Sequence, residues 1–540
     1  MAAQKFFSPL MIVLLWVAGS IAGPIEESPR RGGTLINVTG ASPANLTCGF
    51  EKSAHTNVVT EMLYNGLVHT DQEGDLHPEL ARSWEVSPDG LAYTFQLRRG
   101  VRWHDGKPFT GADVKFSYEE IVGKYHHRAQ ATFQRVRSIE TPDPYTVVIH
   151  LKTPYAPFLG TLTVSDGCIM PKHIYAGTDI LQNPHNQENP IGTGPFKLQE
   201  YKRGSHVIMV RNNDYFMKGR PFLDRLIVKI IPNASSRVLA FEAGELNMVG
   251  YYFLDPFDAK RLMQKPGVIS TDLSDPQVNT LYLNYKKNKF LADIRIRQAI
   301  AHAIDKGFII ERATFGLGRT THSVIPPGLK PFHNPKVTSY DYNPAMADRL
   351  LSDAGLQRGA DGSRFELGLS YDSSAKVAKI VDVIREQLRA VGIRVRPEPM
   401  ERQVLVQKVR KKRDFDMYVH IYTTAGDPAV GVERLYRCNG TENVTAYCNK
   451  RIEQLWDAGI TATTNKERAK AYFELQEIIA RELPAIPLAE PISISIASDQ
   501  FRGLFKAATP YTTRFDEIWW VKGTPLRPDE YDGSDGSKSR

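Results

Sequence analysis

Cysteine is scarce in this chain, which has only four in 540 residues, at Cys48, Cys168, Cys438 and Cys448. No two of them have the spacing CxxC, and no combination of cysteine and histidine has the spacing of a zinc-binding motif. The sequence therefore argues against a structural zinc module and a CxxC redox centre, and it predicts no metal site.

Catalytic motifs are missing as well. The chain contains no GxSxG elbow, no HExxH and no phosphate-binding Walker loop. Gly192-Thr193-Gly194 matches half of a dinucleotide-binding fingerprint, but Pro195 and a predicted strand follow it instead of a helix. We therefore expect no catalytic residues, no cofactor and no enzymatic activity. A secreted hydrolase is the alternative from a different functional class.

Long apolar runs are absent beyond the N-terminus, where residues 6–17 form one. This run is shorter than the ~20 apolar residues that a membrane-spanning helix needs. Small side chains at Ser20 and Ala22 suit signal peptidase, so residues 1–22 are predicted to be an export signal that is cleaved before Gly23. No cysteine lies near that bond. We therefore expect a soluble periplasmic protein without a lipid anchor.

A strong excess of one charge is also absent. The formal net charge is +8, but 68 lysines and arginines are interleaved with 60 aspartates and glutamates. The densest basic run, residues 408–413, is typical of the solvated face of a helix. Together with export, this pattern argues against nucleic acid as a partner.

The four cysteines of an exported chain indicate disulfides. Cys438 and Cys448 flank a short loop rich in Asn, Gly and Thr, so a local bridge between them is predicted. Cys48 and Cys168 either form a second bridge or stay as two buried thiols, and the sequence leaves both alternatives open.

The most informative stretch is residues 78–118. Apolar and polar side chains alternate over 93–97, which is the period of a half-buried strand. A second alternation over 101–104 stops at Asp105-Gly106, a dipeptide that favours a tight turn. Thr110, with an aspartate three residues later, forms a helix-start pair. The pattern predicts strand, turn, strand, turn and helix.

This stretch closely resembles the signature of the family 5 bacterial solute-binding proteins, the dipeptide, oligopeptide and nickel binders of ABC importers. Other segments across nearly the whole mature chain resemble the same family, namely 32–35, 63–67, 190–196, 295–305, 472–487 and 501–521. The resemblance implies an α/β fold of two lobes, the type II periplasmic binding protein fold, with mixed sheets, an inserted subdomain and a hinge of two strands. It also implies a monomer that works with an inner-membrane ABC permease complex.

The same resemblance predicts a discontinuous domain organisation. Lobe I is expected to comprise residues 23–56, 189–285 and 498–526, the inserted subdomain 57–188, and lobe II 286–497. A polar tail at 527–540 is predicted to be disordered. Two chain crossings between the lobes would form a hinge on which the lobes can close as rigid bodies.

Lobe II has its clearest pattern at residues 365–395. A predicted strand precedes an apolar helical stripe over 377–391, Gly392 ends the helix, and a second strand follows. This order predicts a βαβ unit. A further helix and a strand over 415–421 complete the predicted α/β lobe.

Candidate ligand contacts follow from the resemblance alone. In peptide-binding relatives, the loop after the strand at 416–423 carries an aspartate that pairs with the α-ammonium of the peptide. Thr424 stands at that position here, and a hydroxyl cannot neutralise an ammonium. Asp427 either replaces this anchor or caps the next helix through the Asp-Pro turn. The other candidates are Tyr422, Lys376, Tyr251, Asn45, Glu401 and Arg402.

These observations lead to one interpretation. The chain is predicted to be the periplasmic substrate-binding component of an ABC importer, which captures a short peptide by lobe closure and delivers it to a membrane permease. A nickel chelate, haem, an opine or an oligosaccharide remains open as the ligand in place of a peptide.

Overall fold

The computed structural model describes residues 28–50, 53–271, 276–424, 426–506 and 514–521. The predicted export signal, its cleavage site between Ala22 and Gly23, and the predicted tail at 527–540 lie outside these residues. Within the described part, every helix is too short or too polar to cross a lipid bilayer.

The strands of the described residues form six sheets. In chain order they are β1 (Thr34–Thr39), β2 (Val68–Thr70), β3 (Leu76–Pro78), β4 (Ala81–Val86), β5 (Ala92–Leu97), β6 (Val136–Asp143), β7 (Thr146–Leu151), β8 (Phe196–Lys202), β9 (His206–Arg211), β10 (Arg225–Ile230), β11 (Met248–Val249), β12 (Val268–Thr271), β13 (Gln277–Leu283), β14 (Gly318–Thr320), β15 (Phe365–Asp372), β16 (Ile393–Met400), β17 (Met417–Thr423), β18 (Ala485–Pro491), β19 (Ser495–Ser498), β20 (Phe501–Arg502) and β21 (Trp519–Trp520).

The helices cover these sheets. In chain order they are α1 (Ala54–Leu63), α2 (Gly111–Phe116), α3 (Gly123–Tyr125), α4 (Gln130–Phe133), α5 (Lys172–Tyr175), α6 (Ala234–Glu242), α7 (Pro256–Leu262), α8 (Lys289–Ala292), α9 (Ile294–Ala303), α10 (Lys306–Thr314), α11 (Pro344–Asp353), α12 (Ala375–Ala390), α13 (Arg402–Val406), α14 (Pro428–Gly431), α15 (Glu433–Tyr436), α16 (Lys450–Thr461) and α17 (Asn465–Glu482). Short π-helical segments continue the chain at Ser117–Val122 and Gln407–Lys411. Short 3-10 helices lie at Ala156–Leu162, Pro184–Asn186, Tyr251–Phe253 and Phe515–Glu517.

Lobe I is built on a four-stranded sheet in the order β1-β10-β9-β8 and a three-stranded sheet in the order β11-β19-β12. All six residues of β1 are buried, because both faces of its sheet are covered. Leu35 packs into the apolar core on one face, and Ile36 and Val38 pack into the core on the other. This double coverage explains why apolar residues of β1 occur on both faces of the sheet.

The inserted subdomain contains the antiparallel sheet β4-β5-β7-β6. In β5, Tyr93, Phe95 and Leu97 are buried and the residues between them are half-exposed, as the alternation predicts. The helix start is also as predicted, because the N–H of Thr110 donates to Asp113 Oδ2 at 2.9 Å.

The second strand predicted in this stretch is wrong. It is reduced to a single bridge between Arg102 and Pro108. The chain turns back at Gly106, whose φ is +86°, so that the N–H of Trp103 donates to the carbonyl of Lys107 at 2.8 Å. The alternation of apolar and polar residues over 101–104 therefore results from the burial of Trp103, which is 1% exposed, and not from an extended strand.

Lobe II contains a six-stranded sheet in the order β14-β18-β13-β17-β15-β16. The predicted βαβ unit is present as β15, α12 and β16, with β15 and β16 paired in parallel. Gly392 ends the unit's helix with a φ of +86°, a conformation that glycine adopts without strain. Apolar cores cover both faces of the sheet, so Met417 and Val419 face one core while Tyr418 and Tyr422 face the other.

Strand pairing places the lobe boundaries away from the predicted residues. β13 pairs with β17 and β18 in the centre of the lobe II sheet, so the chain enters lobe II between 271 and 277 and not at 285. It returns between β18 and β19, at 491–495, before the predicted boundary at 498. Helix α1 packs into the lobe I core, so the inserted subdomain begins after Leu63 and not at 57.

Both cysteine pairs are bonded in the structure. Cys48 joins Cys168 with a Cα–Cα distance of 5.9 Å, and this bond links the loop after β1 to the inserted subdomain. Cys438 joins Cys448 with a Cα–Cα distance of 4.3 Å and closes the loop after α15. Of the two alternatives for Cys48 and Cys168, the structure has the bridge.

Candidate functional site

A large cavity lies where lobe I, the inserted subdomain and lobe II meet. Its volume is about 1650 Å³, whereas common small-molecule pockets have ~300–1,000 Å³. Its walls include parts of α1, of residues 127–135 and 155–166 in the inserted subdomain, and of 423–442 in lobe II. The cavity thus depends on the relative position of the lobes.

The lobes touch each other in this structure. Ala429 and Ile460 of lobe II pack into the apolar core of the inserted subdomain. A second contact joins lobe I to lobe II, because the ring of Phe257 meets the ring of Phe315 edge-on at 5.2 Å. Lys260 Nζ also donates to the carbonyl of Phe315 at 2.7 Å. The structure is therefore a closed form.

Two predicted contacts, Tyr422 and Thr424, are buried outside the cavity wall. The hydroxyl of Tyr422 donates to the carbonyl of Val324 at 2.6 Å. Thr424 is 0% exposed, and its Oγ1 donates to the carbonyl of Pro276 at 3.0 Å. The Thr424 hydroxyl is therefore bonded within the protein and does not face the cavity.

Tyr251 is also buried, and its N–H donates to Ser495 Oγ at 3.0 Å. Its neighbour Tyr252 is 57% exposed and lines the cavity in its place. Because consecutive residues of a short 3-10 helix point in different directions, sequence similarity alone could not decide which of the two tyrosines faces the ligand.

The four remaining candidates lie away from the cavity. Glu401 accepts the N–H of Gln403 at 2.8 Å and caps α13. Asn45 accepts the N–H of Thr47 at 3.2 Å within the loop after β1. Lys376 and Arg402 are exposed at the starts of α12 and α13, and neither lines the cavity. All four have positions typical of helix starts or turns.

Asp427 is the one predicted residue that lines the cavity. Its Oδ1 accepts the N–H of Ala429 at 2.8 Å, which caps α14. Arg468 Nη2 donates to both of its carboxylate oxygens, at 2.7 and 2.8 Å. Asp427 therefore acts as the cap in this structure, and its charge is matched by a protein guanidinium.

A buried ionic network forms another part of the wall. Glu79 Oε1 accepts from Asn65 Nδ2 at 2.9 Å, and Arg514 Nη2 donates to Asp516 Oδ2 at 2.9 Å. Burial raises the pKa of Glu79 to about 7, although the nearby charge of Arg514 opposes this shift. Burial also lowers the pKa of His69 to about 3, so that this ring is neutral at physiological pH. Glu79 is therefore not a fixed anion for a cationic ligand.

The most prominent wall residues that sequence reasoning missed are arginines. Arg128 and Arg135 come from the inserted subdomain, and Arg434 comes from α15 of lobe II. Residues 126–135 and 433–437 are visibly basic in the sequence, but no local periodicity shows that the fold brings them to one cavity. Their common position results from the contact between the lobes.

Among the described residues, no three His, Cys, Asp or Glu side chains cluster as a protein-held metal ion would require. The cavity wall instead offers hydrogen-bond donors, paired carboxylates and the exposed ring of Tyr252. Such a wall can bind and orient a polar ligand.

Comparison with known proteins gives a consistent result. Residues 75–443 match the model for bacterial extracellular solute-binding proteins, family 5, middle part. The oligopeptide-binding protein AppA of Bacillus subtilis is 28% identical over 96% of this chain and 98% of its own length. Its structure in complex with a nonapeptide has a TM-score of 0.73 at 26% identity, covering 92% of this chain and 100% of that chain.

Two further relatives are described with different ligands. Heme-binding protein A of Haemophilus influenzae is 27% identical over 90% of this chain and 92% of its own length. The structure of NikA from Brucella suis in complex with Fe(III)-EDTA has a TM-score of 0.80 at 26% identity, covering 90% of this chain and 100% of that chain.

Proposed function

Because the chain belongs to the bacterial extracellular solute-binding proteins of family 5, we propose that it captures a solute between its lobes and delivers it to an inner-membrane ABC permease complex. The observation that carries this proposal is the cavity of about 1650 Å³ with walls from both lobes and the inserted subdomain. Since the lobes are joined at two crossings, closing the hinge encloses a ligand and opening it releases the ligand.

A short peptide is the proposed ligand. The cavity exceeds a common small-molecule pocket in volume, and the relative AppA was solved with a nonapeptide. One observation favours a second candidate, a non-peptide ligand such as a nickel chelate, haem, an opine or an oligosaccharide. Thr424 is buried and Asp427 is paired with Arg468, so neither offers a free carboxylate to a peptide ammonium.

The compartment and assembly state follow the same proposal. An export signal at residues 1–22 would place the mature chain in the periplasm as a monomer without a lipid anchor. In that compartment the protein binds and releases its ligand without covalent chemistry, and the permease supplies the path across the inner membrane.

Binding without turnover tests this proposal. Native mass spectrometry of protein purified from the periplasm should show an extra mass equal to that of a short peptide, and calorimetry with tri- to pentapeptides should give saturable heat. Chromatography should recover those peptides intact, with urea-denatured protein as the control. A bound haem, opine, sugar or metal chelate would contradict the peptide assignment, and cleaved peptides would favour a secreted hydrolase.

A further inference from the structure

Most carboxylates of the cavity wall are already matched by arginines. Five such ion pairs are present, each with its carboxylate in the wall: Asp166 with Arg128, Asp427 with Arg468, Glu433 with Arg437, Glu442 with Arg410, and Asp516 with Arg514. Glu61 accepts from Asn57 and Ser165. A carboxylate that is matched within the protein has little to offer a ligand ammonium.

Arg434, in contrast to these paired carboxylates, is a charged wall residue whose hydrogen-bonding groups are mostly unused within the protein. Its Nε donates to the carbonyl of Gly431 at 3.1 Å, and its other four N–H donors have no partner among the described residues. The nearby acid Glu442 pairs with Arg410 at 2.7 Å. Burial lowers the pKa of Arg434; the charge of Glu442 opposes this shift, and the like charges of Arg410 and Arg128 add to it. This guanidinium is partly desolvated and lines the cavity with unused donors.

Arg135 brings a second guanidinium from the inserted subdomain. It stacks over the ring of Tyr155 at 4.5 Å, and in the described part of the chain it forms no ion pair. Its charge acts on Glu433, the neighbour of Arg434 in α15. Arg135 and Arg434 thus both line the cavity, one from the inserted subdomain and the other from α15 of lobe II.

We propose that Arg434 binds a carboxylate of the ligand, and that the protein recognises the C-terminal end of a peptide instead of its α-ammonium. This inference rests on the proposed function. A planar guanidinium with two adjacent N–H donors matches a carboxylate in a bidentate pair.

The amino end of the peptide has no matching site on the same loop. Thr424 is 0% exposed, and both oxygens of Asp427 accept from Arg468. Glu73 and Asp75 do line the cavity, but they lie in the exposed turn between β2 and β3, where water screens their charge. Blocking the amino group should therefore matter little.

The test uses a mixed pool of tri- to pentapeptides in three forms: free, N-acetylated and C-amidated. Calorimetric titration of the wild type should show amidation weakening binding about 10- to 100-fold, the effect of losing hydrogen bonds to a charged group. N-acetylation should change affinity less than about threefold. In Arg434→Gln, the free acid should bind about 10- to 100-fold more weakly, and the difference between acid and amide should disappear.

Arg385→Gln is the matched control, because Arg385 is an exposed arginine of α12 outside the cavity. It should retain wild-type affinity. Equal binding of acid and amide, or loss of binding on acetylation, overturns the carboxylate assignment but leaves the solute-binding role intact. Failure of every peptide form to bind overturns the peptide proposal itself. If Arg434→Gln unfolds, the comparison of acid and amide on the wild type still decides.

Discussion

Replacing Asp427 by asparagine is expected to lower the free energy of unfolding by about 3 kcal/mol, because it leaves a buried cation without its partner. The side chain of Arg468 is 6% exposed and that of Asp427 17% exposed. Burial opposes the charged form of Arg468, but the carboxylate of Asp427 raises the pKa of this guanidinium. Urea unfolding followed by circular dichroism measures the change.

The matched control is Asp457→Asn, which removes an exposed carboxylate that accepts from Arg437 Nη2 at 2.6 Å. With a side chain 70% exposed, Asp457 should contribute less than about 1 kcal/mol. Peptide affinity of Asp427→Asn should stay close to that of the wild type. An unchanged unfolding midpoint together with a large loss of affinity would show instead that Asp427 is the ligand anchor.

The second large effect is expected at the bond between Cys48 and Cys168. These residues are 120 positions apart, and a link over such a distance restricts the unfolded chain by ~5 kcal/mol in the chain-entropy model. Both cysteines are buried, at 5% and 0% exposure. Substituting both by serine should therefore cause a large fall in the urea midpoint and in thermal stability.

The pair Cys438 and Cys448 provides the comparison. Their separation is 10 residues, for which the same model gives ~3 kcal/mol. The double serine variant of this pair should lose less stability than the double serine variant of Cys48 and Cys168. A smaller loss for Cys48 and Cys168 than for Cys438 and Cys448 would contradict the entropic account, and free thiols in unreduced peptide maps would contradict the pairings.

The predicted family and the predicted two-lobe α/β fold are confirmed. Local rules were sufficient where an element is determined by its own residues. The alternation in β5, the capping box at Thr110 and the stripe of α12 before Gly392 are of this kind. The lobe boundaries were misplaced because the apolar sequence of β13 would suit a buried strand in either lobe. Only its pairing with β17 and β18 shows that β13 belongs to lobe II.

The candidate site was less accessible to sequence reasoning because its contacts are long-range. Asp427 meets Arg468 from α17, 41 positions later in the chain. Arg434 and Arg135 line the same cavity only because the lobes pack against each other. Thr423, Gly426 and Asp427 come from the loop that the resemblance indicated and line the cavity, but whether a side chain of this loop faces the cavity depends on the folded structure.

Small-angle scattering with and without a saturating ligand tests the central claim most directly. The ligand should be the one that native mass spectrometry identifies. The ligand-free protein should have the larger radius of gyration, because the two chain crossings between the lobes let the lobes separate. On saturation the radius should fall to the value of the closed structure, and thermal stability should rise by linkage. An identical radius across the whole titration would contradict capture by lobe closure.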